Sequence, residues 1–77
     1  MMALTLVFNN GRQMNGLLWS WRPEAGWFEA LNEKNGQIKR YKFKDIKGGT
    51  LWQTRDRKDN SGVENILEKA AADGYEP

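Results

Sequence analysis

Between Lys34 and Lys58 the sequence reads KNGQIKRYKFKDIKGGTLWQTRDRK, in which nine cations stand against two carboxylates and are interleaved with Tyr41, Phe43 and Trp52. The chemistry open to such a segment is electrostatic and stacking. Lys and Arg neutralise phosphates, and exposed aromatic rings offer stacking surfaces worth roughly 1 to 3 kcal/mol per base. Strand alternation would place Arg40, Lys42 and Lys44 on one outward face with Trp27, and Lys47, Arg55, Arg57 and Lys58 would extend that patch along a rim and into a linker. These eight residues form the candidate nucleic-acid-binding set. The competing account is a solvated strand face whose lysines pair with Glu29 and Glu33 and guard a sheet edge, with Tyr41, Phe43 and Trp52 as core.

Bond-making chemistry has few candidates. The chain has no Cys and no His, which removes thiolate and imidazole metal ligands and the commonest general base near neutral pH. Asp56 and Asp59, or Glu64 and Glu68 one helical turn apart, supply too few oxygens for a calcium-type cage. Gly48-Gly49 is followed by no helix bearing Lys or Ser/Thr, so it is not a phosphate loop. No catalytic residues, metal or cofactor are expected, and the protein is read as a non-enzyme.

The elements that must position these residues are set by turn chemistry. Asn10-Gly11 joins two alternating apolar runs, and Asn35-Gly36 joins two more, which are strong hairpin signals. Strands are predicted at 3–8, 13–21, 27–32, 37–43 and 50–54, with breaks at Pro23, Gly26 and Gly48-Gly49. A two-residue turn at Asn35-Gly36 would set Phe28 opposite Phe43, Glu29 opposite Lys42 and Ala30 opposite Tyr41. A four-residue loop from Pro23 to Gly26 would set Trp21 opposite Phe28 and Trp19 opposite Ala30. The core face then reads Leu17, Trp19, Trp21, Phe28, Ala30, Tyr41 and Phe43. Leu18, Leu31 and Ile38 form an apolar strip on the other face, beside the basic one.

A polar linker is expected over 55–62, followed by a helix over 63–74. Ser61 and Glu64 fit a capping box, Val63, Ile66, Leu67, Ala70 and Ala71 recur at helical spacing, and Gly74 fits a C-terminal cap. The helix should dock on the Leu18-Leu31-Ile38 strip. Five short strands, with Gly16 permitting a bend in the second, predict a strongly bent antiparallel barrel over residues 1–54, since closure removes exposed edges.

The pattern LTLVFNNGRQMNGLLWSW resembles the first signature of the Sm-like proteins, and KFKDIKGGTLW resembles their second, over residues 3 to 54. The resemblance implies a five-stranded SH3-like barrel, assembly through strand edges and binding of single-stranded RNA. Where the family has Asp and Asn after the second strand, this chain has Arg22 and Gly26, so the family's base-binding loops do not carry over.

Charge is segregated along the chain: the basic block carries +7, the residues before it −1 and those after it −4. Such segregation speaks about partners. RNA or DNA, single-stranded in preference, is the first expected partner. An acidic protein gripped by a small inhibitor or adaptor of mobile-element type is the second, and self-association through strand edges the third. No apolar run reaches the length of a membrane span and no secretory leader is apparent, so a cytoplasmic protein is expected.

Overall fold

The computed structural model describes residues 1–54 and 62–77. Most of the expected linker, with Arg55, Arg57 and Lys58, and the expected cap at Ser61 lie outside the described residues. The elements are β1 (Met2–Phe8), β2 (Gln13–Arg22), β3 (Trp27–Asn32), β4 (Ile38–Lys42), β5 (Ile46–Gln53), β6 (Glu64–Asn65) and α1 (Ile66–Ala72). The six strands of the described residues lie in one antiparallel sheet, in the order β4-β3-β2-β1-β5-β6. None of the described helices is long and apolar enough to cross a membrane.

Both Asn-Gly turns form, each with more residues than the tightest hairpin. At the first, the Phe8 N–H donates to the Arg12 carbonyl at 2.8 Å, and Gly11 takes φ 87°, the left-handed geometry that a three-residue hairpin loop requires. At the second, the Asn32 N–H donates to the Gln37 carbonyl at 2.9 Å, so Glu33 to Gly36 form the loop. The expected pairing is therefore displaced by two residues: Phe28 faces Tyr41, Glu29 faces Arg40 and Trp27 faces Lys42. A displacement of two leaves every side chain on its expected face.

The β2–β3 ladder differs by one residue, with the opposite result. Trp21 does pair with Phe28, but the register shifts between Leu18 and Ser20, so Leu18 rather than Trp19 faces Ala30. Trp19 is the extra residue of this bulge and is 54% exposed, which removes it from the expected core; Leu18 takes its place against the core and Leu17 turns outward.

The core comprises Leu4, Leu6, Met14, Phe28, Ala30, Phe43, Ile46, Leu51, Ile66 and Ala70. Neighbouring strands lie about 4.8 Å apart, so in a flat sheet β1 and β4 would be separated by roughly 14 Å. The rings of Phe8 and Tyr41 nonetheless have centroids 5.5 Å apart, and the Tyr41 hydroxyl lies 3.3 Å from the Met14 sulfur on β2. The sheet is strongly curled.

Curling stops short of the predicted five-stranded closed barrel. The outer edge of β5 is taken by the short sixth strand, which sets Thr50 opposite Asn65 and Leu51 opposite Glu64, so among the described residues β4 and β6 remain as two separate edges. A 3-10 turn, Phe43–Asp45, carries the chain from β4 to β5. The remaining opening is filled by the helix.

That helix is shorter than predicted and lies elsewhere. Asn65 is the N-cap, its side-chain oxygen accepting from the N–H groups of Leu67 and Glu68 at 3.0 and 3.1 Å. Val63 precedes the helix and is exposed. Ile66 and Ala70, one turn apart, enter the core on the concave side instead of covering the Leu31-Ile38 strip. A Cβ at Gly49 would run into the Thr5 carbonyl and lie 3.2 Å from the Ile66 side chain, so the bare backbone lets β5 lie close against β1 and leaves room for Ile66. At the far end the Tyr75 N–H donates to the Ala70 carbonyl at 2.9 Å and the Gly74 N–H to Ala71 at 3.3 Å, a Schellman-type termination. It delivers the Tyr75 ring onto Phe43, centroids 4.9 Å apart.

Candidate nucleic-acid interface

The outward positions of β3 and β4 alternate as Trp27, Glu29, Leu31 and Ile38, Arg40, Lys42. Register places Arg22, Trp27 and Lys42 in one row across three strands, with Ser20, Glu29 and Arg40 in the next. The Arg40 guanidinium carbon lies 3.6 Å from the centroid of the Trp27 ring, a cation–π stack. Its ion pair with Glu29 is long, 3.9 Å from Nε to the carboxylate, and partly exposed to water. Such a pair contributes about 0 to 1 kcal/mol, so the charge of Arg40 is only weakly neutralised.

Lys44 reaches the same place from the 3-10 turn. Asn9 fixes that turn, its side-chain amide donating to the Lys44 carbonyl at 2.9 Å and its N–H to the Asp45 carbonyl at 3.2 Å. Trp27, Arg40, Lys42 and Lys44 together line an open groove of about 730 Å³. Tyr41 forms part of its wall, and burial raises the pKa of its phenol, so the ring stays neutral throughout the physiological range. Asp45 and Glu76 are the carboxylates along the rim.

Four of the eight candidate residues thus converge. Lys47 lies on β5, exposed and away from the groove, while Arg55, Arg57 and Lys58 lie outside the described residues. Trp52 is half-buried outside the core, paired with Ala3. Arg22, expected on the same outward face, does pair with Trp27 but is not part of the groove lining. One contributor escaped the sequence reading: Tyr75 lines the groove because the Schellman turn folds the chain back. A Tyr directly after a helix-ending Gly is the signal for it, since that position commonly makes an apolar contact.

The arrangement combines cations that can meet phosphates with a guanidinium–indole stack that can receive a base. Among the described residues no polar or charged side chain is buried, and no three His, Cys, Asp or Glu are placed to hold a metal ion. Comparison of the chain with protein-family models, curated proteins and solved structures finds no match in any of the three.

Proposed function

We propose that this protein is a small non-enzymatic module that binds single-stranded nucleic acid in the groove of Trp27, Arg40, Lys42 and Lys44. The observation that carries the reading is the Arg40–Trp27 stack flanked by Lys42 and Lys44 in one groove. Unpaired bases stack on aromatic and guanidinium planes, whereas duplex bases are already stacked on one another, so a single strand gains more from this surface. The scaffold we assign is an SH3-like barrel opened at its seam; the strong curl and the 3-10 turn between β4 and β5 support that kinship. An acidic protein would use the same cations but has less use for a stacking platform. Edge pairing between copies through β4 would bring Lys39, Arg40 and Lys42 against their own kind, which disfavours self-assembly there.

Titration of single- and double-stranded oligonucleotides at low salt tests the reading. Micromolar-scale binding to the single strand should weaken with salt, the log-log slope lying near −2 to −3 for about three to four phosphate contacts. Reversing Arg40 and Lys42 to Glu should reduce affinity and slope together. Trp27→Ala should lower affinity by about 1 to 3 kcal/mol with little change in slope. Absence of binding up to about 100 μM would overturn the proposal.

A further inference from the structure

The face opposite the helix carries an apolar row that no part of the described chain covers. Register sets Ile38, Leu31, Leu17, Ala3 and Trp52 side by side across β4, β3, β2, β1 and β5. At its Trp52 end the row sinks into a pocket of about 290 Å³, lined by Ala3, Leu17, Trp52, Asn15, Glu33 and neighbouring backbone. Gly16 is part of its lining, and the missing Cβ there, which would strike the Leu31 carbonyl, lets β2 and β3 approach closely beside it.

The pocket has a defined chemistry. Trp52 supplies a half-buried indole, Leu17 and Ala3 supply apolar walls, and Glu33 is the one charged side chain of the lining among the described residues. The Glu33 N–H donates to the Asn15 carbonyl at 3.1 Å, which ties the loop after β3 to this place, and Glu33 and Trp52 line the same pocket. The Asn15 side-chain oxygen accepts from the Thr5 hydroxyl at 2.8 Å and keeps a second lone pair, an acceptor beside the Glu33 carboxylate. The volume falls at the lower limit of small-molecule sites, about 300 Å³, and suits one long side chain.

We infer that this pocket is a receptor for an arginine side chain presented by a partner protein, with the partner's neighbouring apolar residues lying along the Leu17-Leu31-Ile38 row. A guanidinium is flat, stacks on an indole and pairs with a carboxylate, and the lining supplies one of each. Charge selects the occupant: Arg40, Lys42 and Lys44 repel a basic segment from the groove, while Glu33 attracts it here. The site is independent of the groove and would accept a protein while the groove is occupied.

The test is an NMR titration of the intact protein with acetyl-Leu-Arg-Leu-amide and with the same peptide carrying citrulline, the uncharged isostere of arginine. Saturable shifts are expected at the amides of Gly16 and Leu17 and at the Trp52 indole N–H, with the citrulline peptide binding at least about tenfold more weakly. Glu33→Gln should weaken the arginine peptide about fivefold and Trp52→Leu should abolish its binding, whereas Arg40→Glu should leave it unchanged. Glu33 is exposed, so its variant cannot fail merely through misfolding. Equal binding of the two peptides, indifference to Glu33→Gln, or no saturable shift up to about 10 mM would each overturn the inference.

Discussion

Trp19 and Trp21 stand two positions apart in one strand, where strict alternation would place them side by side, yet they occupy opposite surroundings. Trp21 lies edge-on to Phe43 with centroids 5.2 Å apart, and its indole N–H donates to Asp73 at 2.8 Å. Trp19 lies in the bulge, more than half exposed. One inserted residue therefore decides which of two identical side chains becomes structural. The β3–β4 hairpin, displaced by two, shows the converse: pairs change and faces do not. Parity is more robust than pairing until a bulge intervenes.

The largest expected effect falls on the ring that Trp21 packs against. Phe43→Ala removes a fully buried side chain touching Trp21, Phe28 and Tyr75, and should cost about 3 to 5 kcal/mol, read by denaturant unfolding. A loss below about 1 kcal/mol would mean that the helix and its Tyr75 do not seat on the sheet.

The Trp21–Asp73 contact gives an intermediate, pH-dependent effect. The hydrogen bond from Trp21 lowers the Asp73 pKa, with Lys69 at 3.4 Å adding to the effect. A carboxylate whose pKa is lower in the folded state stabilises above its unfolded value and loses that stabilisation as pH falls through the folded one. Asp73→Asn should therefore lower the melting temperature at pH 7, and the gap from the parent should close as pH drops below the ordinary carboxylate range. A gap that persists unchanged into strong acid would remove the ionised contact from the account. The smallest effect belongs to Trp19→Ala, expected within about 0.5 kcal/mol of the parent, and a large loss would put Trp19 back in the core.

Much of this was legible in the residues. Asn10-Gly11 and Asn35-Gly36 located the hairpins, and alternation through Trp27, Arg40 and Lys42 brought the stack and its neighbouring lysine to one face. What was hidden is of two kinds. The bulge at Trp19 has no local mark, because Leu17-Leu18-Trp19 is apolar throughout and either phase buries a large side chain. The helix start was obscured because Val63 continues the apolar period, while Glu64 and Asn65 are recruited by the edge of β5, a contact distant in sequence. Gly48-Gly49 read as a break, yet β5 runs through it from Ile46, and the bare backbone at Gly49 admits the Thr5 carbonyl of the neighbouring strand.

The position of β1 has a consequence for the order of assembly. Ala3 is bonded on one side to a strand formed within the next twenty residues and on the other to Trp52, so the central strand of the sheet is half-finished until most of the chain exists. Contacts between residues so distant in sequence slow folding, because the closure entropy must be spent before any contact is gained. The four-strand meander can form early, but Ile66 and Ala70 are still missing from its concave side. During synthesis the nascent sheet would therefore expose Leu4, Leu6 and Phe28 to water until the helix follows, and this is the interval in which the protein is most open to capture by chaperones or by its own neighbours.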